Sequence, residues 1–208
     1  MLLTEEDQNF LKVKINFLII ILSLIFISNS YSEKIVLEKL VELDSPWGSS
    51  FINNNEIIVT EKSGKIKIVD ISTKEIQEVS HELNFVVHGQ GGLLDIIHKD
   101  NIVWISYTED RGNYKTSTSI ARAELNKKKL VFKNIFQANP PIDSGYHFGS
   151  RLAIKDNYIY ASAGERGQGM IAQDASKHPG SIIRIHLDGK IPKDNPKFCL
   201  LYTSDAAD

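Results

Sequence analysis

One pattern, written three times, constrains this chain more than any other feature. "WGSSFINNNEIIVTEKSG" from Trp47, "GGLLDIIHKDNIVWISYTEDRG" from Gly91 and "FGSRLAIKDNYIYASAGERG" from Phe148 share one order of residues. Each runs small residue, apolar strand, polar turn with Asn or Asp, apolar strand, then a glutamate (Glu61, Glu109, Glu165) and a glycine. Val, Ile, Tyr and Phe at period two, bounded by Asn, Asp and Gly, predict strands, and no amphipathic helix interrupts them after Glu33. Gly48, Gly92 and Gly149 lie 44 and 57 residues apart, close to the repeat of about 40–50 residues of four-stranded propeller blades. Two strands of each unit are visible. The stretches between, "GKIKIVDISTKEIQEVS" and "STSIARAELNKKKLVFKNIFQ", are expected to add an outer hairpin. A stacked β-sandwich also alternates, but the repeat favours the propeller.

The rest of the chain narrows the class. With 208 residues, 42% hydrophobic, 24% charged and a net charge of -2, it can bury a core and has no basic footprint for nucleic acid. The one basic run, Lys127 to Lys129, reads as a solvated turn. Lys12 and Lys14 precede the apolar run Phe17 to Ile27, and "SNSYS" follows, which is the pattern of an export signal over residues 1–32. A run of eleven residues, ten of them apolar, falls short of the about 20 that span a bilayer, so a membrane association is expected only if this segment stays uncleaved. The expected location is periplasmic or secreted. The acidic "TEED" at Thr4 leaves the start codon open, with Leu11 or Val13 as alternatives. Cys199 is the only cysteine, so no intramolecular disulfide braces the fold.

In a propeller the first strand of each blade lines a central channel. His88 and Gln90 in "HGQGG" and His147 in "GYHFGS" hold matching places ahead of such strands and are expected to face each other across the channel mouth. His147 can take a proton near neutral pH or be a satisfied structural ring. Glu165 closes the same strand pair and returns to the end where His147 sits, because antiparallel neighbours reverse direction. It can orient the imidazole or, like Glu61 and Glu109, cap a turn in every blade. Gln90 offers donor and acceptor to a ligand or to its own turn. Arg151 can bind an anionic group or pair with a carboxylate, and Asp174 reads as a turn residue. The remaining histidines show no zinc spacing, and phosphate-loop, dinucleotide and nucleophile-elbow motifs are absent.

The segments "SPWGSSFINNNEIIVTEKSGKI", "GQGGLLDIIHKD", "VWISYTE", "IARAEL", "HFGSRLAI", "AGERG", "AQDASKHPGSIIRIHLDGKIP" and "KDNP" together resemble the soluble quinoprotein aldose sugar dehydrogenases of the glucose/sorbosone dehydrogenase family. The resemblance implies a six-bladed β-propeller using pyrroloquinoline quinone (PQQ) and calcium. It implies that His147 is the base that takes the anomeric proton while hydride leaves C1, with Glu165 as its orienting carboxylate. Gln90 would lie near both cofactor and substrate, and Tyr146 and Arg151 near the substrate. Some glucose-specific members carry a carboxylate where this chain has Tyr146, which implies a broader aldose site.

The resemblance also implies a departure. The basic residues that grip the quinone and the calcium ligands belong to the family's second half, so no metal ligand is assigned in this chain. Residues 33–198 are expected to form about three blades, too few to close a ring of roughly four to eight. The family's "DNPF" becomes "DNPKF", and residues 199–208, "CLLYTSDAAD", are read as a foreign tail on an inactive portion of the enzyme. The competing reading is a secreted propeller that binds glycan or protein without catalysis. A metal-dependent lactonase is a third, weakened because the Gln90 position holds no carboxylate.

Overall fold

A computed structural model of the chain describes Lys12, Lys14, Asn16, Leu18 and residues 35–196. Two units separate, residues 1–38 and 39–208. In the first, Lys12, Lys14, Asn16 and Leu18 are helical and exposed. Apart from these four residues, the expected export segment lies outside the described residues, as does the tail 199–208. No helix among the described residues is long and apolar enough to cross a membrane.

The second unit is all-β, three blades of a β-propeller. Blade 1 runs β1 (Pro46–Phe51), β2 (Glu56–Glu61), β3 (Ile66–Asp70) and β4 (Ile76–His81). Blade 2 runs β5 (Leu93–Lys99), β6 (Ile102–Asp110), β7 (Thr116–Glu124) and β9 (Lys133–Gln137), with β8 (Lys129–Leu130) between the last two in sequence. Blade 3 has β10 (Gly149–Lys155), β11 (Tyr158–Ala163) and β12 (Ile182–His186). The sequence repeat is thus one hairpin built three times, and its irregularity repeats as well. Each first strand slips register against the second at the same place, between Pro46 and Ser49, Leu93 and Ile96, and Gly149 and Leu152. Such a bulge re-aims the chain at a sheet edge. The polar turns between paired strands are tight. Asp100 and Asn101, both at positive φ, join Lys99 to Ile102 in the two-residue turn that matches strand twist.

The outer hairpins form as expected in blades 1 and 2, with one difference. The Lys127 to Lys129 turn is exposed, but it does not simply bridge β7 and β9. It crosses to blade 1, where β8 pairs in parallel with β4, Gln77 and Ser80 donate to the Lys127 and Lys128 carbonyls, and Leu130 enters the core. A basic run next to a buried leucine is a strand waiting for an edge, which its charge hid.

Two cores hold the blades together. Ile58, Ile66, Ile68 and Val79 of blade 1 pack against Val103, Ile105, Tyr107 and Ala121 of blade 2. Trp104 and Ile120 of blade 2 pack against Leu152, Ile159, Ala161, Ile183 and Ile185 of blade 3. Strand β6 feeds both layers, with Val103 and Ile105 on one face and Trp104 on the other, and is buried along nearly its whole length. A strand covered on both faces needs apolar residues on both, which is why "IVWISY" loses strict alternation. Three sheets stacked in series replace the two facing sheets of a sandwich.

Candidate active site

His147 sits two residues before β10 at φ 49°, a left-handed conformation that costs a non-glycine residue roughly 1–2 kcal/mol. Neighbouring contacts hold it there. Its N–H donates to Gln90 Oε1 at 2.9 Å, and the Gly164 N–H donates to the Phe148 carbonyl at 3.1 Å. Gly164 is required at its position: a Cβ there would lie 1.9 Å from the His147 carbonyl oxygen. Gly164→Ala is therefore expected to displace His147 and to cost about 1–3 kcal/mol, read by calorimetry; an unchanged melting temperature would contradict this packing.

Register brings the carboxylate to the ring. Gly149 pairs with Ala163, so the chain two residues further out carries Glu165 beside His147. Glu165 Oε1 meets His147 Nδ1 and also accepts the Gly167 N–H at 3.1 Å. The His147 hydrogen bond, ahead of smaller backbone contacts, holds the Glu165 carboxyl below the usual carboxylate range. An ionised carboxylate only accepts, so Nδ1 is the donor, and in the neutral ring the lone pair is on Nε2. Both side chains are partly exposed, 54% for His147 and 28% for Glu165, so solvent screens the pair.

The other two glutamates of the repeat have different surroundings. Glu61 is fully buried; burial pushes its carboxyl up, but Lys67 at 2.7 Å and the Asp44 N–H outweigh that and hold it low. Glu109 is buried, with Ser119 Oγ at 2.6 Å and Gln137 Nε2 at 2.8 Å. Neither of these two side chains caps its own turn, whereas Glu165 does so through the Gly167 N–H. In blade 3 the same position opens to solvent beside a titratable ring.

Because Glu165 is depressed in the folded state, the pair adds stability that is complete above the ordinary glutamate pKa and is lost as pH falls through the lower folded value. Glu165→Gln keeps the shape but admits the wrong imidazole tautomer. Its expected melting-temperature deficit against the parent should vanish in that acid window, and a deficit that persists at low pH would rule out the ionised pair.

Gln90 lies beside His147 rather than across a mouth from it, which corrects the expected arrangement. The reason is glycine: Gly89 and Gly145 pack backbone to backbone, with room for no Cβ on Gly89, and the Gln90 N–H reaches the Gly145 carbonyl at 2.8 Å. Lys62 Nζ anchors this turn from blade 1 through the Gly89 carbonyl at 2.6 Å. Gln90 Oε1 accepts from His147, and neither amide N–H of Gln90 has a hydrogen-bond partner among the described residues. Tyr146 is exposed and meets the His147 ring edge-on at 6.2 Å. Arg151 points into solvent and pairs with buried Asp95 at 3.0 Å, the carboxylate partner its alternative reading describes. Asp174 is a turn residue, its carboxyl lowered to about 2 chiefly by the Ser176 hydroxyl.

Arg166 escaped the sequence reading. It follows Glu165 in "AGERG", where flanking glycines suggest an exposed loop, yet it is 2% exposed. No linear signal marks it, because its partners Thr116, Ser144 and Tyr146 come from other segments. Among the described residues no group of three His, Cys, Asp or Glu side chains could hold a metal ion. A hollow of about 500 Å³ beside Arg122 and Lys133 shares no residue with the His147 site.

The glucose/sorbosone dehydrogenase sequence profile matches residues 43–200. The chain belongs to that family. Aldose sugar dehydrogenase YliI of Escherichia coli is 30% identical over 165 residues, covering 74% of this chain and 44% of the relative. The apo-form crystal structure of the soluble E. coli aldose sugar dehydrogenase superimposes with a TM-score of 0.70 at 31% identity, over 74% of this chain and 47% of that one. The PQQ-bound form of the Streptomyces coelicolor aldose sugar dehydrogenase gives 0.69 at 26% identity, over 77% and 50%. This member of the glucose/sorbosone dehydrogenase family thus spans about half the length of the relatives it matches.

Proposed function

We propose that the protein belongs to an exported quinoprotein that oxidises the anomeric carbon of aldose sugars to lactones. The observation that carries this reading is the His147–Glu165 pair, which in the neutral ring leaves Nε2 as the base, with the Gln90 amide held on the His147 backbone N–H. PQQ, when bound, supplies the acceptor for the hydride. His147 Nε2 takes the proton of the anomeric hydroxyl as C1 loses hydride, and the C1–O1 bond becomes the lactone carbonyl. Glu165 holds Nδ1–H and stabilises the imidazolium that forms. Gln90 orients the reacting oxygens with its free N–H donors. Tyr146 offers an aromatic wall to the sugar, and Arg151, with donors beyond its Asp95 contact, a polar one. The aromatic wall in place of a carboxylate supports a broad aldose range.

The residues present fit the sugar side of such a site. They do not gather the basic groups that quinone carboxylates need: Arg151 is paired with Asp95, Arg166 is buried and Lys62 is bound to Gly89. The three blades alone are therefore proposed to be inactive, with the quinone carboxylates and calcium held by residues beyond those described. Residues 1–32 are proposed as the export signal, 33–198 as the partial propeller and 199–208 as foreign sequence.

The test is dye reduction by the product of the complete reading frame, with a panel of aldoses, with and without PQQ and calcium. Turnover is expected only with both added and across several aldoses. Aldose binding without any turnover under those conditions would favour a non-catalytic glycan-binding propeller instead.

A further inference from the structure

The segment carrying His147 is clamped from two sides, on alternate residues. Gln90 takes the odd positions, receiving the His147 N–H and donating to the Gly145 carbonyl. Arg166 takes the even ones. Its Nε donates to the Tyr146 carbonyl at 3.0 Å and Nη2 to the Ser144 carbonyl. Its guanidinium carbon lies 3.6 Å from the centre of the Phe148 ring. The remaining donors reach blade 2, Nη1 to the Thr116 carbonyl at 3.1 Å and Nη2 to Thr116 Oγ1 at 2.7 Å.

We propose that Arg166 is a positioning residue that fixes the left-handed turn at His147, and through it the His147–Glu165 contact, by tying residues 144–148 to the Thr116 end of β7. Three observations carry this. Arg166 is 2% exposed as a residue, and among the described residues no carboxylate forms an ion pair with it, so its charge is met by carbonyl and hydroxyl oxygens and an aromatic face. Burial lowers it only to about 10, so it stays charged at neutral pH. A buried cation without a counterion is a poor device for stability, whereas a rigid planar fork suits three hydrogen bonds to backbone carbonyls and one to the Thr116 hydroxyl, which a lysine point charge cannot reproduce. Finally, Arg166 adjoins Glu165 in sequence while its partner Tyr146 adjoins His147, so one side chain links the backbones of both members of the pair.

The catalytic consequence rests on the proposed base role of His147; the geometric claim does not, and the experiment separates them. In the 208-residue chain, the Glu165 carboxyl and the His147 ring nitrogens are followed by NMR titration in Arg166→Lys, in Thr116→Val, and in Arg184→Gln as a control arginine of β12 clasped to Asp194 and Asn195. The first two are expected to return Glu165 to the ordinary carboxylate range, and the control to leave it low. Melting points that fall while Glu165 stays low in both variants would make Arg166 a structural residue only and overturn the proposal; if Arg166→Lys fails to fold, Thr116→Val decides alone. In the quinone-loaded product of the complete reading frame, Arg166→Lys is expected to lower kcat about 100-fold with KM changed by less than about threefold. Loss of the pairing with kcat intact would leave the positioning role standing and sink the base reading of His147.

Discussion

In the quinone-loaded product of the complete reading frame, the proposed base role predicts that His147→Ala lowers aldose-dependent dye reduction by about 1,000-fold, within the range that a positioned general base contributes and equal to about 4 kcal/mol of barrier. The loss should fall on kcat, because Nε2 in its proposed role acts on a proton that moves only in the transition state. The fold should survive: the side chain is half exposed, so its removal opens no cavity, and the backbone contacts of residue 147 to Gln90 and Gly164 do not use the ring. Quinone binding, followed by absorbance titration, should be nearly unchanged. A variant that kept activity within about tenfold of the parent would remove His147 from the role of base.

The largest effect on stability is expected at Trp104. The indole is 2% exposed between blades 2 and 3, and its Nε1 donates to the Leu187 carbonyl at 3.0 Å. Trp104→Ala loses the transfer energy of the ring, leaves a cavity and strips the Leu187 carbonyl of its partner, about 3–5 kcal/mol in all. Against a typical total of about 5–15 kcal/mol, that should lower the melting temperature by about 10 °C or more. Blade 3 carries His147 and Glu165, so the site should loosen with it. Phe51, large but exposed, is the control, and Phe51→Ala should stay within about 0.5 kcal/mol. Equal melting points for the two variants would mean that the Trp104 layer does not hold blade 3.

The sequence reading and the structure agree most closely within single hairpins. The strand pairs of each blade, their Asn/Asp turns and the meeting of Glu165 with His147 all follow from register over short separations. They part company between blades. Gln90 was expected opposite His147 and is its neighbour, because two glycines, Gly89 and Gly145, allow backbones from different blades to touch. The basic turn at Lys127 to Lys129 hid a strand, because its edge partner β4 lies in another sheet.

By itself, then, the sequence determined the blades, the family and the two residues of the candidate pair, since period-two patterning and antiparallel return are local properties of the chain. Only the tertiary structure decided that Glu61 and Glu109 are sealed while Glu165 is open, and that Arg166 is buried beneath the site. Identical positions in a repeat receive different neighbours once sheets stack, and burial depends on those neighbours rather than on the residue's own stretch of chain.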